Sequence, residues 1–86
     1  MSETAAEQAG DLDVHEVEDG LVIYDLANDR VHYLNETASL VFALCTGEHS
    51  DVRIVELIGL AWELPQPPDA EVRACLAQLR DEGLIR

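Results

Sequence analysis

Between residues 29 and 47, DRVHYLNETASLVFALCTG, the hydrophobic period changes from two to about 3.6 at a single residue, so a strand must run directly into a helix. Val31 and Tyr33 alternate with Arg30, His32 and Leu34, as a pleated strand requires. From Ala38 onward, Val41, Phe42 and Cys45 recur at intervals of three and four, the spacing of one helical face. Asn35 stands at the switch, where its side-chain oxygen is placed to accept from an unpaired N–H of the first turn. Glu36 favours the positive end of the helix dipole, and Thr46-Gly47 ends the segment because glycine takes the left-handed C′ conformation without a Cβ penalty.

The rest of the chain is short enough to be read as support for that junction. Its 86 residues fit one small domain, and 48% hydrophobic with 5% aromatic residues implies a core of Leu, Val, Ile and Ala. Eighteen Asp and Glu stand against five basic residues, all Arg, for a formal charge of −13. A phosphate backbone and an anionic lipid surface both repel such a chain, which makes nucleic acid and membrane poor candidates as partners. No run reaches ~18 apolar residues, and residues 1–20 lack the basic start and apolar core of a signal peptide, so the expected location is cytoplasmic. Cys45 and Cys75 each fall on an apolar helical stripe and read as reduced core thiols.

Residues 1–11, MSETAAEQAGD, are polar and aperiodic and are expected to be a disordered acidic tail, with the folded domain covering 12–86. Residues 12–34 read as a three-stranded meander. Asp19-Gly20 is a strong two-residue turn signal and Asn28-Asp29 a weaker one. Taken literally, these turns pair Val17 with Val22 and His15 with Tyr24, then Leu26 with Val31 and Tyr24 with Tyr33. Val17, Val22, Tyr24, Leu26, Val31 and Tyr33 then share one apolar face, and the opposite face, with Glu16, Glu18, Leu21, Ile23, Asp25, His32 and Leu34, is mixed and expected to be half wet at best. Helices are predicted over 36–45, over 51–62 capped by Ser50, and over 70–82 capped by Asp69. Their inner positions are Ile54, Val55, Ile58, Ala61 and Trp62 in the second, and Val72, Cys75, Leu76 and Leu79 in the third. Pro65-Gln66-Pro67-Pro68 separates the two, and Gly83 stops the last, with Leu84 and Ile85 folding back. The expected fold is α+β, β-β-β-α-α-α, resembling a winged helix-turn-helix with its sheet first.

The chemistry-bearing residues do not assemble into a catalytic or metal motif. No HxxxH, CxxC, phosphate loop or GxSxG elbow occurs, and His15, His32 and His49 lack ligand spacing, so no cofactor, no metal and no enzymatic activity are expected. Asp25 and His32 read as a satisfied surface pair across the second hairpin, and Cys75 as a buried thiol. Arg73, Ala77 and Arg80 lie at i, i+4 and i+7 on the third helix, and Arg30 begins the third strand. These arginines either line one groove between strand and helix or pair with nearby acids on a solvated face, and the sequence leaves both open.

Three stretches resemble a known family: Tyr33-Leu34-Asn35-Glu36-Thr37-Ala38, Leu44-Cys45-Thr46-Gly47, and the closing Leu76-Ala77-Gln78-Leu79-Arg80-Asp81-Glu82-Gly83-Leu84-Ile85. Together they are similar to the PqqD family, the peptide-binding domains called RiPP recognition elements, over residues 20–85. The resemblance implies a non-catalytic domain that binds the leader segment of a ribosomally made precursor peptide and presents it to a modifying enzyme, radical-SAM proteins being frequent clients. It further implies that the leader adds as a strand beside the third strand and rests against the third helix. The main-chain requirement is present in the meander, whose third strand is terminal and carries one row of unpaired N–H and C=O groups. On this reading the peptide-binding residues are Arg30, Val31, His32, Tyr33, Leu34, Arg73, Leu76, Ala77 and Arg80, with the arginines suited to an acidic leader residue. Two other classes fit the element order: a DNA-binding winged helix, whose recognition helix would present Asp69, Glu71, Asp81 and Glu82 to a phosphate groove, and a subunit that only stabilises an enzyme partner.

Overall fold

The period switch at Asn35 appears as a direct strand-to-helix junction in the computed structural model, which describes residues 5–86. The elements are β1 Leu12–Val17, β2 Gly20–Asp25, β3 Arg30–Asn35, α1 Glu36–Leu44, α2 Asp51–Ala61 and α3 Asp69–Asp81. The strands form one antiparallel sheet in the order β1-β2-β3, which leaves β3 at an edge. The α+β order and the helix limits match the sequence expectation to within a residue.

The helix starts show why. Asn35 Oδ1 accepts from Ala38 N at 2.9 Å, and Ser50 Oγ accepts from Arg53 N at 3.2 Å, each cap contributing about 1 kcal/mol. α3 differs. Asp69 is its first residue rather than its cap; Pro68 holds the cap position without a side-chain bond, and Asp69 instead accepts from Arg73 one turn on. At the other end Gly83 has φ 78°, Leu84 N donates to Leu79 O at 2.9 Å, and Leu84 and Ile85 are buried, as the glycine stop predicts.

The sheet register departs from the turn-based expectation by two residues in both hairpins. Val17 faces Gly20, His15 faces Val22, Tyr24 faces Val31 and Val22 faces Tyr33. In the first hairpin Glu18-Asp19 forms the turn with no residue at positive φ, and Gly20 belongs to β2. A side chain there would collide with the backbone carbonyl of Leu34, so Gly20 is needed for close approach and not for turn geometry. In the second hairpin the Asp25 carboxylate accepts from Asn28 Nδ2 at 2.9 Å and Asn28 N at 3.3 Å, closing a loop that contains Leu26.

A slip of two keeps every side chain on the face predicted for it, yet the buried face is the opposite one. Ile23, Asp25 and Leu34 are buried, whereas Val31 is 63% and Tyr33 57% exposed, and Val17, Tyr24 and Leu26 are exposed as well. The helices cover the side of Ile23 and Leu34. Val41, Phe42 and Cys45 meet Ile54, Val55 and Ile58 there, together with Val72, Leu76 and Leu79. Ala61 and Trp62, expected inside, are exposed beyond the last covered turn of α2.

The N-terminal expectation is also corrected. Ala6 is fully buried, Gln8 N donates to Cys45 O at 3.0 Å, Ala9 N to Leu84 O at 2.9 Å, and Arg86 N to Glu7 O at 2.7 Å. Residues 6–9 thus tie the end of α1 to the C-terminal segment, which polar composition alone conceals because these bonds are main-chain. The part of the expected tail in residues 1–4 lies outside the described residues.

Candidate functional site: the β3 edge and its groove

β3 pairs with β2 on one side only. Alternate residues of such a strand direct N–H and C=O groups away from the sheet, where water or a further strand must satisfy them. Beside this edge a cavity of about 370 Å³ opens between β3 and α3, with residues 31–35 forming one wall and Cys75, Gln78, Leu79 and Glu82 the other. Ala38 of α1 closes one end. A second recess of about 360 Å³ continues it past Asn35 and Thr37 to Glu71 and Ala74, sharing Ala38, Cys75 and Gln78.

The walls alternate in chemistry because the strand does. Leu34 and His32 face the covered side of β3, and Leu79 and Cys75 supply apolar surface opposite them. The His32 side chain is 12% exposed, its Nδ1 lies 4.0 Å from Glu82 Oε1, and its Nε2 is buried with no hydrogen-bond partner. An unsatisfied buried nitrogen costs roughly 1–3 kcal/mol, so the groove wall holds a polar group whose bonding capacity the chain leaves unused. Asp25, expected to pair with His32, is instead held by Asn28, whose hydrogen bond keeps its carboxyl below the usual carboxylate range.

The sequence-selected residues divide in two. Val31, His32, Tyr33 and Leu34 all line the cavity. Arg30 is exposed at the start of β3, opposite Asp25. The α3 residues lie elsewhere. Leu76 is buried in the core, Ala77 is exposed, Arg73 Nε donates to Asp69 Oδ1 at 2.8 Å, and Arg80 donates to both Asp51 oxygens at 2.9 and 3.2 Å. The Asp51 bond also raises the Arg80 guanidinium above its ordinary value. At about 100° per residue, Arg73, Ala77 and Arg80 sit on one flank of the buried stripe Val72-Leu76-Leu79, and Glu71, Cys75, Gln78 and Glu82 sit on the other. The second flank faces β3. The sequence held the signal as this recurrence, but only the packing of α2 against α3 tells which flank is open.

The two thiols differ in access. Cys45 is fully buried, its Sγ donates to Val41 O at 3.2 Å, and burial pushes its pKa up to about 11. Cys75 is half-buried in the groove wall, and burial raises its pKa too. A maleimide at neutral pH is therefore expected to label one thiol per native chain, at Cys75 and more slowly than free cysteine, with Cys45 reacting only after denaturation; peptide mapping by mass spectrometry checks both sites.

Among the described residues no cluster of three or more His, Cys, Asp or Glu side chains is placed to hold a metal ion, and no helix is long and apolar enough to cross a membrane.

Comparison with known proteins gives two findings. A family model described as "Coenzyme PQQ synthesis protein D (PqqD)" matches residues 20–85. Among solved structures, "TbiB1 in Complex with the TbiA(beta) Leader Peptide" is similar in fold, with a TM-score of 0.78 at 18% identity, covering 93% of this chain and 94% of that one. No curated protein matches.

Proposed function

The chain belongs to the PqqD family, and from that premise we propose that it is a non-catalytic domain that binds the leader segment of a ribosomally synthesised precursor peptide. The leader adds as a fourth strand along β3, with alternate side chains entering the groove against α3. The observation that carries this reading is the coincidence of an unpaired strand edge with a cavity of about 370 Å³ directly beside it. Main-chain bonds at the edge supply affinity, and the groove supplies selection. The peptide-bound neighbour of the same fold supports the reading. Val31, His32, Tyr33 and Leu34 form the strand side of the site, and Cys75, Gln78, Leu79 and Glu82 the helix side. The bound precursor is presented to a modifying enzyme, with a radical-SAM protein as the expected class, in the cytoplasm. The alternative of a DNA-binding winged helix is disfavoured by Asp69, Glu71, Asp81 and Glu82 on α3 and by a net charge of −13.

The test is to search the genes beside this one for a short precursor peptide and to titrate its leader segment against the chain by amide NMR. Shifts are expected in residues 30–35 and 75–82; shifts confined to α2, or none, overturn the reading. Arg80 supplies a second check. Arg80→Gln is expected to cost only about 1 kcal/mol in urea denaturation, since its ion pair with Asp51 is partly exposed, and to leave leader affinity unchanged.

A further inference from the structure

The groove's charge is opposite to what the arginine stripe suggested. Both α3 arginines sit on the far flank, bound to Asp51 and Asp69, while the flank facing β3 carries Glu71 at one end and Glu82 at the other. Arg30, the basic residue of β3, is exposed at the strand's start and is not part of the cavity wall. Glu82 stands 4.0 Å from His32 Nδ1, so the groove presents a carboxylate beside the largely buried imidazole of β3. Two residues along the strand, Leu34 lies opposite Leu79 and Cys75 in the same groove.

Resting on the leader-binding reading above, we propose that the groove selects a leader with a lysine or arginine two residues from an aliphatic side chain, the cation reaching Glu82 and the aliphatic group packing over Leu34. The spacing follows from strand geometry. Side chains on one face of a strand recur every second residue, so a strand added beside β3 places groove-facing side chains next to His32 and next to Leu34, two residues apart. The cation pairs with the Glu82 carboxylate, whereas an acidic residue at that position meets a like charge. The −13 net charge disfavours acidic peptides as well, so the whole-molecule field and the groove act in the same direction.

The test pans the full chain against a displayed random 12-residue peptide library and locates each binder by NMR. Groove binders are expected to share a Lys or Arg spaced two residues from Leu, Ile or Val. Changing that cation to Glu is expected to weaken binding by about tenfold or more, with Glu82→Gln reproducing part of the loss and Glu82→Lys reversing the preference. Circular dichroism of both variants confirms the fold. Binders that shift β3 and α3 but carry acidic or no charged residues, or whose affinity ignores Glu82→Lys, overturn the charge rule and leave leader binding standing. A library that yields no peptide acting on β3 or α3 overturns both.

Discussion

Gly20→Ala is expected to destabilise the domain by about 3 kcal/mol or more, the largest effect of any single-methyl addition to this chain. The added Cβ would occupy the space of the Leu34 carbonyl, which is main chain and bound into the sheet at the point where β3 turns into α1. Relief requires β2 and β3 to separate there, and Leu34 is part of the core beneath. At 86 residues such a loss corresponds to a drop in Tm of roughly 12 °C or more. Urea denaturation checks the size, with Gly10→Ala as the control: nothing lies closer than 3.8 Å to a Cβ there, so no comparable loss is expected. Equal effects of the two substitutions would show that the close approach at Gly20 does not matter.

The second large effect is on binding. Gln78 is exposed, yet it lines both recesses of the groove. Gln78→Trp places an indole across the space a leader side chain would enter, and leader affinity is expected to fall more than tenfold. Stability should stay within about 0.5 kcal/mol, because the position is on the surface. Arg73→Trp on the opposite flank is expected to leave affinity unchanged. Isothermal titration with the leader and thermal melts of both variants separate the outcomes, and a Gln78→Trp chain that binds normally would place the peptide elsewhere.

These two residues also show how far the sequence could be read. Helix limits, the Asn35 and Ser50 caps and the Gly83 stop were legible because each is decided within four or five residues of chain. The sheet was legible in its strands but not in which face is buried. Counting apolar residues favoured the side of Val17, Tyr24, Val31 and Tyr33, but tyrosine tolerates exposure through its hydroxyl, and Tyr33 Oη does donate to Asp19 O at 3.3 Å. Burial is set by where α1 lies after leaving β3, a long-range fact. The same holds for the site. The strand residues 31–34 came from the family resemblance and the terminal place of the third strand in the meander, whereas the helix side required knowing that Asp51 of α2 claims Arg80. Gly20 was recognised as special for the wrong reason, since a turn and a close approach both select glycine.

The uncovered face of the sheet has a colloidal consequence. Val31 and Tyr33 are exposed on a strand whose edge is also unpaired, a surface on which identical chains could stack edge to edge. Nothing in the shape of β3 prevents this; no proline or lysine interrupts it. Their shared charge of −13 opposes such stacking, a guard spread over the whole molecule and not built into the edge. Mild acid, which neutralises carboxylates, therefore removes the guard while the apolar core survives, and folded chains should associate before they unfold. On the proposed binding mode an occupied edge offers no template, so a bound leader would double as a solubilising cap.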